Sequence, residues 1–148
     1  MKHGNRWLAA AVSVGCMQLT ACERATHSAQ HDAPAKVEKV DGSDMSRVTL
    51  TAKAVERLDL RTVEVVEQKV SRSATPRRVV PYSALIYDAQ GATWVYTSPQ
   101  PMTFVRHKVE VDYIEGLTAV LSDGPAAGTL VASVGVAELY GTEFAVGH

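Results

Sequence analysis

The sequence is short of most things that would announce a chemistry. Among 148 residues there are two Cys, which cannot build a disulfide framework. Aromatics make up only 6%. Neither charge sign dominates: 15 Lys and Arg stand against 16 Asp and Glu. That balance speaks against nucleic acid as a partner, since such binders carry a basic excess. No apolar run reaches the roughly 20 residues that a membrane-spanning helix needs. No heptad pattern and no internal repeat is present. What remains, 46% apolar and 21% charged, is the composition of one ordinary folded domain.

The N-terminus carries an address. Lys2, His3 and Arg6 precede residues 7–21, which contain no Asp, Glu, Lys or Arg. This is the shape of a secretory signal, so residues 1–21 are expected to be a signal peptide. It ends Leu19-Thr20-Ala21-Cys22, a large apolar residue, two small ones and Cys. That resembles the lipobox of bacterial lipoproteins, which implies cleavage before Cys22 and acylation of its thiol. Two acyl chains would hold the protein on a lipid membrane where one would be marginal. The expected location is therefore the cell envelope, on the extracytoplasmic (periplasmic) side. Loss of Lys2 and Arg6 takes the 15 basic residues to 13 against 16 acidic ones, a net charge of −3. Cys16 goes with the leader, and Cys-based disulfide or metal chemistry goes with it.

Residues 22–46 read as a flexible tether. They are rich in Ala, Ser, Asp, Gly, Lys and Pro, with too few large apolar residues to offset chain entropy. His27 and His31 lie here, four apart. On a helix that spacing suits a metal, but nothing argues for a helix, and the other ligands of a closed shell are missing. They are weak candidates, and no cofactor is expected.

Residues 47–148 read as the folded body. Thr51 caps a short helix over 52–58. Strand signals follow over 61–70, 84–87, 93–97, 102–113, 118–121 and 129–134. Between two of them Asp88-Ala89-Gln90-Gly91 reads as a hairpin turn. The expected fold is mostly β: a small antiparallel β-roll or barrel-like domain with one short helix, preceded by signal peptide and tether. Residues 137–140 read as a helical turn, and 141 onward as a tail.

A search for catalysis comes back negative. Ser83, His107 and Asp112 are present, but Ser83 lacks a nucleophile elbow and no motif places the three together. No phosphate-cradling Gly loop exists. The pair Arg77-Arg78 is too short a basic run for nucleic acid. A non-enzymatic interaction module is the leading class. Its expected partner surface is the 102–113 strand, with Arg106, His107 and Lys108 as exposed contacts, together with Trp94 on the neighbouring run.

Several segments resemble one family in order along the chain. Val79-Val80-Pro81-Tyr82-Ser83-Ala84-Leu85 is followed by Gly91-Ala92-Thr93-Trp94-Val95-Tyr96. Then come Phe104-Val105-Arg106-His107-Lys108-Val109-Glu110-Val111 and the stretch from Leu121-Ser122-Asp123-Gly124 through Gly128-Thr129-Leu130-Val131 to Gly135. Together they resemble the membrane-proximal domain of periplasmic adaptor (HlyD-type membrane-fusion) proteins of resistance-nodulation-division (RND) efflux pumps. Residues 48–66 resemble the strand–helix–strand that opens such a domain. The lipoyl, barrel and hairpin domains of a full adaptor have no counterpart, because Val70 reaches Val79 through a few polar residues. The resemblance implies a lipid-anchored accessory module of an efflux system that docks on the transporter or its adaptor. The alternative is a metal-binding or generic envelope lipoprotein.

Overall fold

A computed structural model describes residues 33–145. Residues 1–21, expected to be a signal peptide, and Cys22, His27 and His31 lie outside the described residues. Ten strands and two helices follow in the order β1 (Ala35–Lys39), β2 (Ser46–Leu50), α1 (Ala52–Arg57), β3 (Arg61–Glu64), β4 (Val66–Gln68), β5 (Arg77–Pro81), β6 (Ile86–Tyr87), β7 (Thr93–Gln100), β8 (Thr103–Glu115), β9 (Thr118–Asp123), β10 (Leu130–Val134) and α2 (Val136–Phe144). A 3-10 turn, Tyr82–Ala84, links β5 to β6. Every strand pair is antiparallel.

The strands are hydrogen-bonded in the order β3-β10-β7-β8-β9-β5-β4. Only Val65 separates β3 from β4, and its N–H bonds Thr129 O while its carbonyl accepts from Gly128 N–H, both at 2.8 Å. The path therefore leaves from and returns to one bent segment, which makes the sheet a barrel-like roll. Its interior is filled from every wall: Val65, Val80, Val95, Val109, Ala119, Leu121 and Val131, plugged by Ala84 and Leu85 after β5. Strand periodicity explains this set, because alternate residues of a strand point to one face. The expected β-roll fold class is what forms.

A second core lies on the outer face of the roll. Val48, Leu50, Ala54, Tyr96, Phe104, Ala132, Val136 and Leu139 pack there, bringing β2, α1 and α2 onto β7, β8 and β10. Thr51 caps α1 as its spacing suggests, its Oγ1 accepting from Ala54 N–H at 3.2 Å. A third, smaller cluster joins Val70, Val79 and Val120 with Tyr113 beside them. Arg72 lies over the Tyr113 ring at 4.7 Å.

Two expectations need correction. The tether does not reach residue 46, because Ala35–Lys39 forms β1 and pairs with all of β2. Its residues are mostly exposed, so local hydrophobicity gives no sign of it. The backbone ladder and the turn at Gly42, with its φ of +72°, hold it instead. The body also has a second helix: α2 runs nine residues through the stretch read as a helical turn and tail. It is fixed by burial of Val136, Leu139 and Glu143 on one face.

Candidate functional site

The β7–β8 ladder sets the geometry of the expected partner surface. Its register pairs Trp94 with Lys108, Val95 with His107 and Tyr96 with Arg106. Trp94, Tyr96, Arg106 and Lys108 therefore share one face, because directly opposed residues of a ladder point the same way. His107 and Lys108 are exposed. Arg106 is not: its side chain is only 9% exposed. This corrects its expected role as an exposed contact.

Helix α2 accounts for the burial of Arg106. It brings Glu143, whose side chain is 2% exposed, down onto this face. Tyr96 Oη donates to Glu143 Oε2 at 2.6 Å. Arg106 Nε lies 2.8 Å from the same oxygen, an ion pair by distance, although its N–H is not aimed along a hydrogen bond. The Arg106 guanidinium lies over two rings, 4.6 Å from the centre of Trp94 and 4.7 Å from that of Phe144. Burial, then the bond to Glu143, pushes the Tyr96 hydroxyl far above its ordinary pKa, so it stays a donor.

Trp94 is held from its other side. Its Nε1–H donates to Asp88 Oδ2 at 2.8 Å. Asp88 Oδ1 accepts from the N–H groups of Gln90 and Ala92 at 3.0 and 2.8 Å. These bonds, the Trp94 bond foremost, hold the Asp88 carboxyl below its ordinary pKa against a smaller opposing effect of burial. The arrangement Asp88–Trp94–Arg106–Glu143–Tyr96 is thus a clamp between sheet, turn and helix. Glu143 and Phe144 were missed because residues past 141 read as a tail. The spacing Val136, Leu139, Glu143 was the available signal, since those positions fall on one helical face.

The other sequence candidates are dispersed or occupied. Ser83 sits in the 3-10 turn and Asp112 pairs with Arg77 at 3.2 Å. Arg77 also donates to Leu121 O at 3.1 Å. Arg78 donates to the carbonyls of Gly124 and Pro125. The basic pair therefore staples β5 to β8, β9 and the turn that follows β9. Among the described residues no three His, Cys, Asp or Glu side chains gather around a common metal position. No described helix is long and apolar enough to cross a membrane.

Two surface features remain. An apolar cleft of about 820 Å³ opens between β1, α1 and α2, walled by Leu50, Ala54, Leu58, Ala137 and Ala145 among others. At the β8–β9 turn, Leu117 is 84% exposed, and Tyr82, whose N–H bonds Leu117 O at 2.8 Å, is 47% exposed.

No protein-family model matches the chain, and no curated protein matches it. Among solved structures, the chain is similar to an NMR structure of 180 residues. It encompasses the N-terminal metal-binding site and the membrane proximal domain of SilB from Cupriavidus metallidurans CH34. The identity is 22%, the TM-score 0.44, and the match covers 66% of this chain. The matched part spans 59% of that structure. The name of that domain fits the resemblance carried by the sequence segments.

Proposed function

We propose that the protein is a non-enzymatic accessory module of an RND-type membrane efflux system. In this reading residues 1–21 are a cleaved leader and Cys22 is acylated. The linker then ends before β1, so the tether spans 22–34 and the body begins there. The body works on the extracytoplasmic side of the membrane and docks on the transporter or its adaptor.

One observation carries the reading. The segments that resemble the adaptor membrane-proximal domain are not scattered over the fold. They fall on β5, β7, β8, β9 and β10, the five strands that with the bent 61–68 segment make the roll, while β6 pairs only with β7 off that path. Residues 48–66, which resemble the strand–helix–strand that opens such a domain, supply β2, α1 and β3. The β4–β5 connection, residues 69–76, supports the absence of the other adaptor domains, because it returns directly into the β4–β5 ladder. The clamp at Arg106 supports a structural role for that residue and leaves Lys108 as the exposed residue of that β8 face, with His107 exposed on the opposite one.

Deletion and complementation test the proposal. Cells lacking the protein should retain more of a fluorescent RND efflux substrate, and the intact chain should restore export. A Cys22→Ala chain, without its acylation site, should restore it poorly. Unchanged retention in the deletion strain across dye, drug and metal substrates would contradict the reading.

A further inference from the structure

The apolar cleft between β1, α1 and α2 lies where the described residues begin and end. Pro34 and Ala35 form part of its wall, and so does Ala145, the last described residue. Leu50 lines it from β2, and Leu58 from the end of α1. Its volume of about 820 Å³ falls within the range of ligand pockets, roughly 300–1,000 Å³. It is open because α2 lines it with Ala137 and Gly141, where larger side chains would fill it. Strand β1 is the element with most to gain from an occupant. It pairs with β2 alone, and Val37, on the cleft wall, is 42% exposed. An apolar group in the cleft would take that side chain out of water.

The polar lining narrows the chemistry of the occupant. Arg57 and Glu138 are the charged residues of the wall, one of each sign. Thr142, also on the wall, uses its hydroxyl within α2, donating to Glu138 O at 2.8 Å. The cleft therefore has no unbalanced charge to select a phosphate or a carboxylate. It suits an uncharged, apolar chain.

The sequence on either side narrows it further. Residues 23–33 contain no apolar side chain larger than Ala, so that stretch cannot fill the cleft. Val146, Gly147 and His148 follow Ala145 and bring one large apolar side chain among them. The nearest large apolar group upstream is the one expected on Cys22. Twelve residues separate Cys22 from Pro34, a span of at most about 40 Å. A diacylglyceryl thioether there is uncharged and apolar, and its covalent link gives it a high effective concentration at the cleft.

We infer that the cleft between β1, α1 and α2 is the seat of one acyl chain carried by Cys22 of the same molecule. The inference rests on the acylation of Cys22 in the reading above, and not on its efflux part. A chain seated there ties the β1–α1–α2 side of the body to the point at which the protein is anchored.

The test places a photo-reactive amino acid at position 137, on the cleft wall, of the full-length chain in the cells that make it. A second chain carries it at position 117, past the far end of β8 from the part that pairs with β2. Intact mass establishes whether Cys22 is acylated. Crosslinked products are then separated on a denaturing gel and identified by mass spectrometry. The expected result is a link from 137, in a product of monomer size, to the acyl chain of the Cys22 peptide, and no such link from 117. Val37→Asp puts a charge on the cleft wall and should cut the yield from 137 at least about tenfold. In the unacylated Cys22→Ala background the same change should leave Tm near that of its parent, because Val37 is already 42% exposed. A link from 137 to a bilayer phospholipid or to another protein overturns the seat. So does a crosslinked dimer, which would place the chain of a second copy there, and so does an acylated protein that gives no link from 137. If Cys22 carries no acyl group, the seat and the anchor fall together, and the efflux reading still stands or falls on substrate retention.

Discussion

Glu143 shows how much one side chain can be asked to do. Its Oε2 accepts from Tyr96 Oη and faces Arg106 Nε, and all three polar groups are withdrawn from water. Removing one partner of a buried pair leaves the other charge stranded, which costs on the order of 3–5 kcal/mol. Glu143→Ala should therefore destabilise the protein by about that much in urea unfolding. Arg106→Ala combined with it should cost clearly less than the sum of the two, because the charges are removed together. Additive losses would show that the pair is not coupled. Asp88 gives a pH signature at the same scale. Its folded pKa lies below the unfolded value of about 3.9, so its contribution is complete above that value and is lost as pH falls through the folded pKa. Asp88→Asn should lower Tm at pH 7, and the gap to wild type should close below about pH 4. A gap that widens on acidification would contradict the bond network around Trp94.

The two helices differ in how much of each is written locally. Helix α1 is legible because Thr51 is a capping residue in the capping position, and the structure uses it so. Helix α2 has no side-chain cap, and Gly135 starts it with a φ of +81°. A Cβ there would lie 3.3 Å from two atoms of Leu60. Gly135→Ala should cost about 1–2 kcal/mol from the backbone alone, plus the contact with Leu60. Gly128, with a φ of +87° and nothing within 4 Å of a Cβ, is the matched control. Gly128→Ala should lose only the backbone part, and equal losses at the two sites would remove Leu60 from the account. Strand β8 was readable from alternation over 102–113, because Val105, Val109, Val111 and Tyr113 are buried or half-buried while Lys108, Glu110 and Asp112 between them are exposed. Strand β1 was not, because its residues are held by β2 rather than by their own burial. The clamp escaped for a related reason. Arg106 reads as solvent-facing until a helix 37 residues downstream supplies its carboxylate, and that long-range pairing has no local signal.

At the scale of the molecule, five strands and the bent β3–β4 segment enclose one core, and a layer of β2, α1 and α2 encloses another on the outside. Short apolar strands with turn signals made the class of fold legible. The closure through Val65 was not, because a one-residue switch between two ladders looks like a continuous strand in sequence. The arrangement leaves Leu117 and Tyr82 exposed at one end and an apolar cleft between β1, α1 and α2. The central proposal is that this body works beside an efflux assembly. The most direct measurement is affinity purification of the full-length protein from membranes solubilised in mild detergent, followed by quantitative mass spectrometry. The account predicts enrichment of an RND transporter or its adaptor over all other envelope proteins. Recovery of the protein alone, or with abundant envelope proteins in proportion to their abundance, would contradict it.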